Sequence, residues 1–205
     1  MKSKEVLNSL DNLFPNPICE LNYEKDYELL IATLLSAQST DKRVNSVTKI
    51  LFSKYDIFSL KDASIEDIEK IIYPVGTYKR KALYVKELAK RLVEDYSGVV
   101  PNNREYLEKL PGVGHKTCNV VLANIYNVPT IAVDTHVTRV ANRLGLTKSE
   151  DVLKIEQDLM DFFPKNKWNR VHLQLVLFGR YICKSKKPEC DKCPFKCQYY
   201  QKKEQ

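Results

Sequence analysis

The sequence has no apolar run long enough to cross a membrane and no apolar signal-peptide core after Met1. Its longest apolar stretch, residues 29–37, is interrupted by Thr33 and Ser36, whereas a spanning helix needs about 20 apolar residues. Glycine is scarce, at 6 of 205 residues, and there is no internal repeat or long flexible linker. Because 43% of the residues are hydrophobic, the composition predicts a folded chain. The lack of a spanning run and of a signal-peptide core predicts a cytoplasmic protein with no membrane partner.

Charge is distributed unevenly along the chain, whose formal net charge is +7. Residues 165–205 contain eleven Lys and Arg against three Asp and Glu, whereas the remainder contains 22 against 23. One interpretation is a solvated basic tail. The other is a surface for a polyanion such as DNA, whose phosphates release counterions when a cationic protein neutralises them. The charge asymmetry alone does not decide between the two.

Helical patterns account for most of the chain. Apolar residues recur at helical spacing in several segments, and residues of the type that begins or ends helices precede or follow them. The predicted helix starts are Asp26, Ser64 and Thr147; the longest predicted helix is 81–96, stopped by Ser97-Gly98; and a last helix runs from Trp168 towards Cys183. Only residues 99–100 and 130–133 resemble strands, and both are short enough to be loops. The predicted fold class is therefore all-α.

Residues 110–117, Leu-Pro-Gly-Val-Gly-His-Lys-Thr, predict a tight hairpin that opens a helix. We expect Gly112 and Gly114 to turn the backbone with positive φ and to let a ligand approach closely. The N-terminus of the following helix presents free N–H groups and a positive dipole end, which suit a phosphate. Taken alone, the hairpin predicts a phosphate-binding role for Lys116.

Four of the six cysteines lie close together near the C-terminus, separated by six, two and three residues. They are Cys183, Cys190, Cys193 and Cys197. Four thiols so close together in a cytosolic chain favour a metal site over disulfides. A four-iron cluster and a tetrahedral zinc site both take four cysteine ligands, so both alternatives remain open at this point.

Four blocks of sequence, taken together, resemble the endonuclease III family of helix-hairpin-helix DNA glycosylases. They are residues 34–41 (Leu-Leu-Ser-Ala-Gln-Ser-Thr-Asp), the hairpin, residues 131–136 (Ile-Ala-Val-Asp-Thr-His) and the four cysteines. The resemblance implies an all-α fold of two domains with DNA bound in the cleft between them. A six-helix domain, residues 22–132, would contain the hairpin, and an iron–sulfur domain would combine residues 1–21 with 133–205.

The family resemblance implies a bifunctional DNA glycosylase and abasic-site lyase of base excision repair, acting on double-stranded DNA with an oxidised or ring-saturated pyrimidine. Lys116 matches the nucleophile, whose neutral amine attacks the anomeric carbon, expels the base and forms a Schiff base. The strand is then nicked 3′ to the abasic site by β-elimination. Asp134 matches the carboxylate that stabilises positive charge on the sugar. The same aspartate also suits the N-cap of a helix that begins at Thr135.

The resemblance further implies a [4Fe–4S] cluster on the four cysteines, with zinc as the alternative, although the spacing from Cys193 to Cys197 is shorter than the family's. The cluster would organise a basic loop that meets DNA phosphates. Gln38 would fill the space left by an extruded base, while Thr77 stands where the family has a leucine wedge. The predicted DNA contacts are Gln38, Thr77, Gly112, Gly114, His115, Lys184, Lys186, Lys187 and Lys192.

Three other functions are possible for a chain with these motifs. A glycosylase specific for mismatched adenine or thymine generally lacks the nucleophilic lysine, whereas this chain has Lys116. A non-catalytic helix-hairpin-helix DNA-binding module would not require the pair Lys116 and Asp134. An iron–sulfur redox or sensor protein would need a partner-binding signature, and none is recognised. Because one DNA footprint needs only one chain, we expect a monomer.

Overall fold

The computed structural model describes residues 1–195 and Cys197, and within that part every regular element is a helix. The all-α prediction is confirmed, because residues 99–100 and 130–133 lie in loops. Residues 198–205 and Lys196, which end the basic segment and the predicted second domain, lie outside the described residues. No described helix combines the length and apolar character that spanning a membrane requires. The chain divides into two compact units, Cys19–Tyr126 and Met1–Ile18 with Asn127–Gln205.

The unit Cys19–Tyr126 surrounds one almost wholly buried helix. Its helices are α2 (Asp26–Leu35), α3 (Asp41–Lys54), α4 (Ile57–Leu60), α5 (Ile65–Ile72), α6 (Tyr78–Tyr96), α7 (Arg104–Glu108) and α8 (His115–Tyr126). Consecutive apolar residues of α2, such as Leu29, Leu30 and Ile31, have no exposed surface. A helix that is apolar on all sides must be covered on all sides. Accordingly, α2 packs against α3, α6 and α8.

The helix boundaries in this unit follow the local signals with two exceptions. Ser64 caps α5 as predicted, since its hydroxyl accepts from the amide of Asp67 at 3.1 Å. By contrast, α6 begins at Tyr78, three residues earlier than the apolar spacing predicted. Asp26 is the first residue of α2 and not its N-cap, which is Lys25. Asp26 instead accepts a hydrogen bond from the amide of Val100 at 2.6 Å, so it anchors a distant loop.

The second unit contains α1 (Ser3–Leu13), α9 (Thr135–Leu144), α10 (Val152–Phe162) and α11 (Trp168–Tyr181). Helix α11 packs against both α9 and α1. The predicted cap of α10 at Thr147 is wrong. Asp151 caps this helix, accepting from the amide of Lys154 at 2.8 Å, while the Thr147 hydroxyl donates to Asp158 at 2.6 Å. The threonine is thus used in a contact within the unit and not at the helix end.

Helix α1 is attached to α11 by a polar cluster around Asp11. Its Oδ1 accepts from Arg170 Nε at 2.6 Å and from Gln174 Nε2 at 2.8 Å. These hydrogen bonds, that from Gln174 first, lower the pKa of Asp11 below its ordinary value. The ion pair therefore holds the N-terminal helix to the segment that leads to Cys183.

Candidate active site

The hairpin forms at residues 109–114, between α7 and α8. It is closed by the Val113 amide, which donates to the Leu110 carbonyl at 3.1 Å, and both side chains are buried. Gly112 has a φ of +77°, as predicted. A Cβ placed there would lie 2.6 Å from Tyr84 Cδ2 and 3.0 Å from Leu34 Cδ1. The turn therefore packs tightly against α6 and α2, and only glycine fits at this position.

Gly114 behaves differently from Gly112. Its φ is not positive, so the prediction of a left-handed conformation there is wrong. No heavy atom lies within 4 Å of a Cβ built on Gly114, so this part of the backbone faces open space at the start of α8. Lys116, the second residue of that helix, is half-buried. The arrangement leaves room for a ligand beside the helix N-terminus, where amide groups suit a phosphate.

A polar network that the sequence analysis missed joins α7 to α8 next to the hairpin. Arg104 Nη2 donates to Asn119 Oδ1 at 2.6 Å, and Arg104 Nη1 pairs with Glu108 at 2.9 Å. The ring Nδ1 of His115 lies 3.3 Å from the same Glu108 carboxylate. His115 therefore belongs to this polar network, and its contact with DNA stays a prediction.

Asp134 is the N-cap of α9. Its Oδ1 accepts from the amides of His136 and Val137, both at 2.8 Å, which confirms the capping interpretation. Two hydrogen bonds to one oxygen fix the carboxylate's orientation, and Oδ2 takes no part in the cap. His136 is half-buried, and burial lowers its pKa, so the neutral ring is favoured. The catalytic role of Asp134 stays a prediction.

Gln38 and Thr77 line one groove, although 39 positions separate them in the sequence. Both are exposed and both have left-handed backbones, with φ of 57° and 56°. The amide of Gly76 donates to Ser39 Oγ at 3.2 Å, which joins the two turns. The structure thus brings the two candidate wedge residues together, and their insertion into DNA stays a prediction.

The four C-terminal cysteines line one pocket. The pocket has an empty volume of about 330 Å³ including its open mouth, and apolar side chains such as Leu144, Phe178 and Phe195 complete its wall. Arg143 Nη1 lies 3.5 Å from the Cys183 sulfur, and Arg139 Nε donates to the Cys183 carbonyl at 3.0 Å. Among the described residues, no three His, Cys, Asp or Glu side chains are close enough together to hold a single metal ion.

The four lysines predicted to contact DNA near the cysteines divide into two groups. Lys184 and Lys192 both pair with Glu189, the latter at 2.8 Å, and these hydrogen bonds lower the pKa of Glu189 to about 2. Lys186 and Lys187 are exposed. The two paired lysines therefore already neutralise a carboxylate, a pairing that the sequence analysis missed. A contact of any of the four with DNA stays a prediction.

Comparison with known proteins identifies the family of this chain. Residues 31–165 match the family model of HhH-GPD superfamily base excision DNA repair proteins. The chain is 45% identical to endonuclease III of Bacillus subtilis strain 168 over 92% of this chain and 87% of that protein. It is 44% identical to endonuclease III of Rickettsia conorii, over 96% and 97%.

The fold agrees with these sequence matches. A solved structure of a trapped endonuclease III–DNA covalent intermediate, the estranged-adenine complex, superposes with a TM-score of 0.93. The two chains are 42% identical, and the match covers all of both. The helices, the hairpin and the pocket of cysteines described above thus occur in a chain that belongs to the endonuclease III family of base excision repair enzymes, which are DNA glycosylases and abasic-site lyases.

Proposed function

We propose that Lys116 is the nucleophile of this enzyme. The observation that carries the proposal is its position: Lys116 is a half-buried residue in the first turn of α8, two residues after the open backbone at Gly114. In the proposed reaction the amine forms a bond to the sugar's anomeric carbon, and the bond to the damaged base breaks. The ring then opens to a Schiff base, which serves as an electron sink. Loss of a proton from the adjacent sugar carbon expels the 3′ phosphate and nicks the strand.

Asp134 would assist the first of these steps. Cleavage of the glycosidic bond places positive charge on the sugar, and a fixed carboxylate stabilises that charge without reorganising. The two amide hydrogen bonds to Oδ1 supply the fixed orientation, so the capping and catalytic roles support each other. A carboxylate so held can also accept the proton that the attacking amine loses.

Borohydride trapping on a duplex with one abasic site tests the proposed nucleophile. Wild type should form a covalent adduct, because borohydride reduces the Schiff base to a stable amine, and Lys116→Ala should form none. Lys109→Ala is the matched control, since Lys109 begins the hairpin that precedes α8, is exposed and pairs with Glu105 at 2.7 Å. An adduct of wild-type strength from Lys116→Ala would refute the proposal.

We further propose that the four cysteines hold a [4Fe–4S] cluster. Two observations support this: all four line one largely apolar pocket, and four cysteine ligands suit such a cluster. When bound, the cluster would be structural and would fix the loop that carries Lys186 and Lys187. Anaerobically purified protein should be brown and contain four iron and four sulfide per chain. Colourless protein with one zinc per chain would favour the four-cysteine zinc site.

The substrate class that we propose is duplex DNA with an oxidised or ring-saturated pyrimidine. Its support is the family membership together with Lys116, which a lyase requires. We also propose that one chain acts alone, in the cytoplasm. Excision assays on a panel of lesion duplexes test the substrate class. Light scattering of the bound complex tests whether one chain acts alone. A panel cleaved only at mismatched normal bases would contradict the proposed substrate.

A further inference from the structure

A buried lysine in the unit Cys19–Tyr126 has no part in the chemistry proposed above. Lys81 is only 5% exposed. Its Nζ donates to the main-chain oxygens of Leu35 at 2.9 Å and Ala37 at 2.6 Å. Burial lowers the pKa of Lys81, which reflects the cost of removing an ammonium from water. An apolar side chain would fill this space without that cost, so stability alone does not account for a lysine at this position.

The two acceptors of Lys81 belong to the end of α2 and to the turn that follows it. A helix end leaves its last carbonyl groups without partners within the helix, and a cation there is favourable. Directly after Ala37 comes Gln38, whose φ of 57° is uncommon for residues other than glycine. The turn that carries Gln38 is closed by the Ser39 amide, which donates to the Ser36 carbonyl at 3.1 Å, and is held from outside by the Lys81 side chain.

Lys81 is also tied to the second turn of the groove. It lies in the first turn of α6, and its amide donates to the carbonyl of Thr77 at 3.1 Å. Thr77 also has a left-handed backbone, and the amide of its neighbour Gly76 donates a hydrogen bond to Ser39 Oγ. One residue thus connects, through its side chain and its main chain, the turns that present Gln38 and Thr77.

We propose that Lys81 is a positioning residue for base extrusion, which holds the Gln38 turn against the Thr77 turn so that the two enter the duplex as one rigid wedge. The inference rests on the proposed glycosylase function and adds a residue to it. Extruding a nucleotide costs unstacking and unpairing energy, and a wedge already ordered before binding adds no ordering cost. Lys81 would act through Gln38 and Thr77 and would not touch DNA itself.

The variant Lys81→Met tests the proposal, because it keeps the unbranched stem and removes the donors. Single-turnover base excision is measured on a paired lesion and on the same lesion within an unpaired bubble. The rate on the paired lesion should fall about ten- to hundredfold, the range expected for lost hydrogen bonds from a charged group. The loss in the bubble should be much smaller, because extrusion costs least when the base is unpaired.

The matched control is Lys90→Met on the exposed face of the same helix, which should change neither rate. In a Gln38→Ala background, Lys81→Met should lower the rate on the paired lesion by less than about twofold, since residues that act through one another are not additive. If circular dichroism shows that Lys81→Met does not fold, Lys81→Arg replaces it, because arginine keeps the charge but alters the geometry. The excision rates of that variant are then compared on the paired lesion and on the lesion within the bubble.

Two outcomes overturn the inference, and they differ from a failure of the proposed function. Equal losses on the paired and bubble substrates would show that Lys81 serves stability alone. Full additivity with Gln38→Ala would show that Lys81 does not act through the wedge. Wild type that forms no adduct on an abasic duplex would instead refute the proposed function, and the Lys81 inference with it.

Discussion

Replacing Gly112 by alanine should destabilise the unit Cys19–Tyr126, whereas the same change at Gly114 should not. The Gly112 backbone has a φ of +77°, and a Cβ there would lie 2.6 Å from the Tyr84 ring and 3.0 Å from Leu34. At Gly114 the φ is not positive, and a Cβ would meet no heavy atom within 4 Å. The two glycines are separated by one residue, so each serves as the other's control.

The expected cost at Gly112 has three contributions. A left-handed backbone costs an alanine about 1–2 kcal/mol relative to glycine. Forcing a methyl group into a packed space costs about 1–3 kcal/mol, because the Tyr84 ring or α2 must shift. The reduced freedom of the unfolded chain offsets about 0.4–1 kcal/mol. The net loss in the free energy of unfolding is therefore roughly 1–5 kcal/mol, a large part of a domain's usual 5–15 kcal/mol.

Urea denaturation followed by circular dichroism measures this difference. Gly112→Ala should unfold at clearly lower urea, whereas Gly114→Ala should stay within about 1 kcal/mol of wild type. DNA affinity by fluorescence anisotropy at fixed salt should show the opposite order for the folded proteins, since a methyl at Gly114 stands where a phosphate would approach. Equal stabilities of the two variants would refute the packing argument.

Two further changes test single groups in the other unit. Asp134→Asn keeps a good N-cap, so the free energy of unfolding should change by less than about 0.5 kcal/mol. The rate of base release should fall about 100-fold or more, because the carboxylate charge is lost. Excision at the wild-type rate would leave Asp134 with the capping role only. The pKa of Asp11 is lowered in the folded protein, so the unfolded chain binds a proton at Asp11 more readily. The stabilisation that Asp11 contributes is therefore lost as the pH falls from about 3.8 through the pKa of the folded state. Asp11→Asn should therefore lower the urea midpoint at pH 7 and much less in strong acid, and an equal loss at both pH values would contradict the pairing with Arg170 and Gln174.

Features that depend on neighbouring residues were predictable from the sequence. The turn at Gly112 and the cap at Asp134 each follow from a few adjacent residues whose geometry is set by φ and by unpaired amides. The all-α class follows from apolar spacing, which repeats over whole helices. That the four cysteines line one pocket agrees with their short separations, whereas their role as metal ligands stays a prediction.

Features that depend on distant residues were not predictable in this way. Lys81 has the sequence context of a surface lysine, yet its acceptors lie 46 and 44 positions away. Thr147 and Asp151 are both good capping residues, and the contact of Thr147 with Asp158 decides between them. The pairing of Lys184 with Glu189 depends on how the loop folds back, which spacing alone does not specify.

The identity of the lysine that bonds to DNA tests the central claim most directly. Wild-type protein trapped with borohydride on an abasic duplex can be digested, and the modified peptide located by mass spectrometry. We expect the sugar remnant on Lys116, in the peptide that contains residues 110–116. A remnant on any other lysine, or no covalent adduct from a folded protein that binds the duplex, would contradict it.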